Sequence, residues 1–228
     1  MSNIVYKDRD VVIVNKDAGV SSQADKTGDK SIIEELSSVF LAEGENTRIF
    51  PVHRLDKVVG GLLLLARNKQ TASVLSEGLS GEEFSKDYLA VVEGEISEGE
   101  YKDYLLKNSI LAKSEVVSPE RKGAKLAKLF LSPLAVVQTE KGNRSLVKIK
   151  LSTGRFHQIR AQLSSRGNYI VGDKKYGSRD LSSRFPALFA YRISFALKGK
   201  NISQSILPDS SLYPWNLFDK NIYEELLK

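Results

Sequence analysis

The stretch Val136-Val137-Gln138-Thr139-Glu140-Lys141-Gly142-Asn143-Arg144-Ser145-Leu146-Val147-Lys148-Ile149-Lys150-Leu151 decides the fold class. Two apolar runs flank a polar cluster, Glu140 to Asn143, that contains a glycine. Past the cluster, Val147, Ile149 and Leu151 alternate with Leu146, Lys148 and Lys150, the period of a strand with one buried face. The pattern predicts a hairpin turning at Glu140 to Asn143. A turn this short joins antiparallel neighbours, because parallel strands need a crossover of a dozen or more residues.

Upstream, Tyr88 to Val92 is strand-like and Gly61 to Ala66 is a continuous apolar run short enough for a buried strand. Thr71 to Leu79 places Ala72, Leu75 and Leu79 on one helical face. Ser31-Ile32-Ile33-Glu34 is a capping-box pattern, followed by Ile32, Leu36 and Phe40 at helical spacing and Gly44 as a stop. Ile4 to Tyr6 and Val11 to Lys16 read as two strands around the charged turn Lys7 to Asp10. Downstream, His157 to Ser165 reads as a helix stopped by Gly167. The last thirty or so residues carry no clear pattern. Helices and strands alternate irregularly, so the expectation is α/β of the α+β kind: a mixed, mostly antiparallel central sheet flanked by helices. No repeat or Pro/Ser-rich linker divides the chain, so residues 1–228 are expected to form a single domain.

Composition narrows the function classes. The 228 residues carry no cysteine, which excludes disulfides, thiolate metal sites and a cysteine nucleophile. With His53 and His157 the only histidines, no metal or other cofactor is expected. No run of eighteen apolar residues suggests a membrane span, and the N-terminus has no basic region followed by an apolar stretch, so a cytoplasmic protein is expected. The net charge of +6 suits a polyanionic partner without requiring one.

Three segments could carry chemistry. In Val52-His53-Arg54-Leu55-Asp56-Lys57-Val58-Val59-Gly60-Gly61 an acid sits in a glycine-containing loop ahead of a buried strand, where it could meet a ligand. It could equally be a surface ion pair with Arg54 or Lys57. Tyr88, within Phe84 to Gly94, falls in a strand pattern where aromatic residues are usually core. In Leu151 to Leu163 a strand ends, Thr153-Gly154 turns and a helix starts, offering backbone N–H groups to an anion such as phosphate. Arg155 at that positive helix end is disfavoured unless an acid compensates it.

Together these segments resemble the RluA-type family of pseudouridine synthases, which act on ribosomal and transfer RNA. The resemblance rests on Lys16 in the "VVNK" opening, His53-Arg54-Leu55-Asp56 with Gly61, and Lys86-x-Tyr88-x-Ala90-x-Val92-x-Gly94. It continues with Thr153-Gly154-Arg155-x-His157-Gln158-Ile159-Arg160 and Gly172-Asp173-x-x-Tyr176-Gly177. Five matches keep their order over about 160 residues, so chance is remote.

The resemblance implies the pseudouridine synthase fold, with a catalytic cleft across its sheet, and the isomerisation of specific uridines in structured RNA. It implies Asp56 as the nucleophile, Tyr88 as the residue that packs on the target base and the candidate general base, and Arg155 as the ion-pair partner of Asp56. It also implies Arg54 as the side chain that replaces the flipped nucleotide, with His53, His157, Gln158 and Arg160 alongside it in RNA binding. RNA, ribosomal or transfer, is the expected partner, with the Lys/Arg-rich stretch Glu120 to Lys128 on the phosphate backbone. The chain is expected to be a monomer, and to resemble the short family members that lack a separate N-terminal RNA-binding domain. The alternative is a catalytically weak RNA-binding or ribosome-assembly factor on the same fold. A kinase is set aside because His53-Arg54-Leu55-Asp56 is one residue out of register with the kinase loop and no glycine-rich motif precedes it. A serine hydrolase is set aside because Gly-x-Ser-x-Gly does not occur.

Five positions depart from the family pattern. Val59-Gly60 replaces the usual Thr-Ser, Asp17 the usual proline, Gln162 a frequent histidine, and Tyr169 a small residue or proline.

Overall fold

A computed structural model describes residues 3–24, 28–45, 47–79, 81 and 83–228. They group into two compact units, Met1–Lys86 with Ala190–Leu207, and Asp87–Phe189 with Pro208–Lys228.

The first unit holds β1 (Asn3–Lys7), β2 (Val11–Lys16), β3 (Phe50–Pro51) and β4 (Gly60–Ala66). Its helices are α1 (Ile32–Ala42) and α2 (Lys69–Gly78). β1 pairs antiparallel with β2, and β2 with β4. β4 is buried at every position, as its unbroken apolar run requires. The capping box of α1 forms as the sequence suggests: Ser31 Oγ accepts from the Glu34 N–H, and Glu34 accepts from the Ser31 N–H. Ile32, Leu36 and Phe40 are buried, and Gly44 turns left-handed just past the helix. Gly61, at φ +111°, cannot be replaced cheaply: a Cβ there would sit 2.3 Å from the Ala190 carbonyl oxygen.

The second unit carries β6 (Gly99–Asn108), β7 (Lys113–Val117), β8 (Lys125–Thr139) and β9 (Gly142–Leu151). Its helices are α3 (Gln158–Ser164) and α4 (Lys220–Glu225). The strand β5 (Phe84–Glu93) begins in the first unit and continues here. β10 (Leu188–Leu197) ends in the first unit, which also holds β11 (Lys200–Ser205). The order β5-β9-β8-β6-β7 is antiparallel at every step. The hairpin that set the fold class is β8–β9, closing at Thr139 opposite Gly142. β8 runs back to Lys125, well beyond the expected Val136, because Ala127, Leu129 and Leu131 continue its buried alternation past a register shift at Pro133.

Candidate active site

Asp56 sits in the first unit on a loop held through its backbone. The Val59 N–H donates to the Asp56 carbonyl at 3.0 Å, closing a turn. Buried Ser22 grips the preceding residue twice: its hydroxyl accepts from the Leu55 N–H at 3.1 Å and donates to the Leu55 carbonyl at 2.8 Å. The Gly19 N–H donates to the Lys57 carbonyl at 2.7 Å. The side chain of Lys57, a candidate surface partner for Asp56, bonds Asp29 at 2.7 Å. Val59 is 2% exposed, so the side chain replacing the family's hydroxyl is packed into the core.

Beneath this loop lies a residue to which the sequence assigned no role. Lys16 is fully buried at the end of β2, opposite Gly61. Its ammonium donates to the carbonyls of Val20 at 2.8 Å, Asp17 at 3.1 Å and Lys57 at 3.4 Å. Burial lowers its pKa to about 8, against the opposing pull of the Asp56 and then the Asp17 carboxylates. One signal was legible beforehand. Val12, Val14 and Lys16 share a strand face, and a lysine continuing a buried valine stripe needs compensation from carbonyls or an acid.

The neighbours of Asp56 differ sharply. Arg54 is exposed. His53 is buried, and its Nε2 accepts from the Leu64 N–H at 3.2 Å. Burial, followed by the nearby Lys86 charge, pushes His53 down to about 3, so it is neutral at pH 7. Its ring meets Phe84 edge-on at 6.3 Å. His53, expected in RNA binding, is thus an uncharged imidazole bonded through Nε2 to β4.

In the second unit, Tyr88 lies on β5 opposite Ile149 and is 7% exposed. Arg155 precedes α3 rather than opening it. Its guanidinium is exposed, and Nε donates to the Leu126 carbonyl at 2.9 Å. The loop that carries it is held by Gln158, whose Oε1 accepts from the Arg155 N–H at 3.0 Å and the Thr153 hydroxyl at 2.8 Å. Gln158 Nε2 donates to the Lys128 carbonyl at 3.0 Å. Both polar ends of Gln158 are thus committed within the fold.

Arg160 is committed likewise. It is 4% exposed and bonds Asp173 with two nitrogens, at 2.6 and 2.8 Å. Asp173 also accepts from the Tyr176 N–H, so the Gly172-Asp173-x-x-Tyr176-Gly177 segment clamps α3. His157, left-handed at φ 51°, bonds the Tyr176 hydroxyl through Nδ1 at 3.0 Å and stacks on Phe156 at 3.9 Å. Burial and then Arg160 push it down to about 3. Gln158 and Arg160, expected in RNA binding, are 3% and 4% exposed, and His157, expected there too, is half-buried. Gln162, at the position of the frequent histidine, is buried and donates to Asp103 at 2.7 Å. Arg121, Lys122 and Lys125, in the expected basic stretch, are exposed. Among the described residues no cluster of three metal-ligand side chains occurs, and no helix is long and apolar enough to cross a membrane.

Residues 10–165 match the family model described as RNA pseudouridylate synthase. The chain is 33% identical over 186 residues to a protein of Haemophilus ducreyi named tRNA pseudouridine synthase C, covering 77% of this chain and 74% of that protein. It is 29% identical to ribosomal large subunit pseudouridine synthase C of Haemophilus influenzae, covering 84% of this chain and 58% of that protein. In structure it resembles Human RNA Pseudouridylate Synthase Domain Containing 1, with a TM-score of 0.77 at 23% identity over 100% of this chain and 94% of that one.

Proposed function

The chain belongs to the RNA pseudouridylate synthase family, its reaction is therefore the isomerisation of uridine in RNA to pseudouridine, and we propose that Asp56 is the nucleophile of that reaction on a uridine in transfer RNA. The observation that supports Asp56 most is the buried Lys16 whose charged form it favours, beneath a loop whose backbone next to Asp56 is pinned by Ser22 and Gly19. A carboxylate must be ionised to attack, and a buried ammonium nearby favours that form.

The reaction breaks the bond between uracil nitrogen and the ribose, turns the base, and joins the ribose to a ring carbon. That carbon loses a proton and the freed nitrogen gains one, so the reaction is balanced without an oxidant or a leaving group. Tyr88, largely shielded from water, is the proposed platform for the base and acceptor of the carbon-bound proton. A phenol with its ordinary pKa of about 10 needs a cation to act at neutral pH, and Arg155 is the group we assign to that task and to pairing with Asp56. A uridine in a stem or loop must leave its stack, at a cost of a few kcal/mol. Arg54, exposed two residues before Asp56, is the side chain proposed to fill the gap. His53, Gln158 and Arg160 serve this site by holding loops.

Transfer RNA is favoured because the relative named for it is 33% identical, against 29% for the one named for the large ribosomal subunit. Purified protein should be incubated with unmodified transfer RNA and with large-subunit ribosomal RNA, and pseudouridines mapped in both. Modification of transfer RNA is expected. Modification of ribosomal RNA alone would overturn the target while leaving the reaction standing.

A further inference from the structure

One sheet face of the second unit lies opposite the face that carries Tyr88. β8 buries Ala127, Leu129 and Leu131 on one side and turns Lys128, Phe130 and Ser132 to the other. Phe130 stands opposite Glu100 on β6 and Lys150 on β9. Lys128 stands opposite Lys102, and Ser132 opposite Lys148. Phe130 therefore has Lys128 beside it along the strand, Lys150 across from it, and Lys102 and Lys148 on its diagonals. Tyr88 belongs to the other face, since it is Asp87 that aligns with Lys150.

This arrangement carries two costs. Phe130 is 43% exposed. Lys102 and Lys128 face each other directly across two strands, where like charges repel. Among the described residues, none of the four lysines forms a salt bridge, and no ring or cation stacks on Phe130. The acids on the same rows, Glu100 and Asp87, are outnumbered by the lysines. A polyanion with a flat π-face relieves both costs at once, by neutralising the lysines and covering the ring. Aromatic side chains on open sheets, ringed by cations, bind unpaired nucleotides in this way.

We propose that this face is a second RNA-binding surface, on which an unpaired base stacks on Phe130 while Lys102, Lys128, Lys148 and Lys150 hold the flanking phosphates. It would grip substrate RNA away from the target uridine, and it does not depend on the role given to Asp56.

The test uses the full chain and a labelled eight-nucleotide oligo(C) RNA, which contains no uridine to modify. The wild type should bind it more weakly as salt rises. Phe130→Ala should weaken binding about tenfold, the scale of one lost stacking contact. Phe130→Trp should restore it. Lys102→Ala with Lys128→Ala should reduce the salt dependence by up to two phosphate contacts. Asp56→Asn should bind oligo(C) like the wild type, which separates this surface from the catalytic reading. Equal binding by wild type and a normally folded Phe130→Ala would overturn the proposal. So would a change of sedimentation on Phe130→Ala without RNA, which would make the face an interface between copies of this chain.

Discussion

In the first unit a cation, Lys16, is buried beneath the loop that carries an acid, Asp56. In the second unit an acid, Asp173, is buried too, but its charge is consumed by Arg160 in a two-bond pair. The two burials differ in kind. The Arg160–Asp173 pair is closed, each charge meeting the other at bonding distance, so it fixes a helix. Lys16 is held by three carbonyl oxygens and shares its field with Asp56 and Asp17. Its charge therefore remains coupled to the group proposed to do the chemistry. A closed pair is a structural device, whereas an open one can serve a reaction.

The strongest way to break this comparison is to open the closed pair. Asp173→Ala leaves the Arg160 guanidinium buried and unpaired, which should cost about 3–5 kcal/mol of stability in denaturant titration. A loss under about 1 kcal/mol would show that the pair is not what holds α3.

Next is Lys16→Met, which removes the open charge but keeps the volume. Stability should change little, because the removal of a buried charge is offset by the three carbonyls that lose their donor. Pseudouridine formation should fall on the order of 100-fold, or about 2.7 kcal/mol of transition-state stabilisation. Wild-type turnover in this variant would remove Lys16 from the account of Asp56.

The same coupling predicts opposite pH trends. Folded Lys16 loses its proton near pH 8, whereas the unfolded chain keeps it to about 10.5. The unfolded state then binds more protons between those values, so Lys16 makes stability rise with pH there. Activity should fall over the same rise, as Asp56 loses its cation. Arg54→Ala sharpens the picture at a smaller scale, with roughly a tenfold activity loss on a structured RNA and less on a single strand. Equal losses on both would remove its role in base flipping.

A separate effect lies at acid pH. His53 and His157 are held neutral, near 3 when folded against 6.5 when free. The unfolded chain takes up protons first, so stability should fall as pH drops from about 6.5 toward 3, with a slope of up to about 1.4 kcal/mol per pH unit for each proton. His53→Gln should flatten that slope by one proton in urea titrations at stepped pH. An unchanged slope would contradict the burial of a neutral imidazole.

Much of the fold was legible because its signals are local. Ser31 and Glu34 lie three residues apart, β4 is one apolar run, and the turn before Gly142 sits within the hairpin it closes. β6 was missed because its inward side carries Tyr101 and Asp103 beside Leu105, a polar stripe that meets Gln162 and Arg166 of the second unit. The strand segments after Ala190 were missed because they return to β4 from more than a hundred residues away. In the candidate site, positions were readable and burial was not. His53, Gln158 and Arg160 stand where a motif places them, but whether a polar side chain faces RNA or its own backbone is decided by packing.

The sharpest check is Asp56→Asn, which keeps the shape of the side chain but removes the nucleophilic charge and turns one acceptor oxygen into a donor. Pseudouridine formation on transfer RNA should disappear while RNA affinity stays within a few-fold of wild type. Modification at the wild-type rate by a folded Asp56→Asn protein would contradict the account.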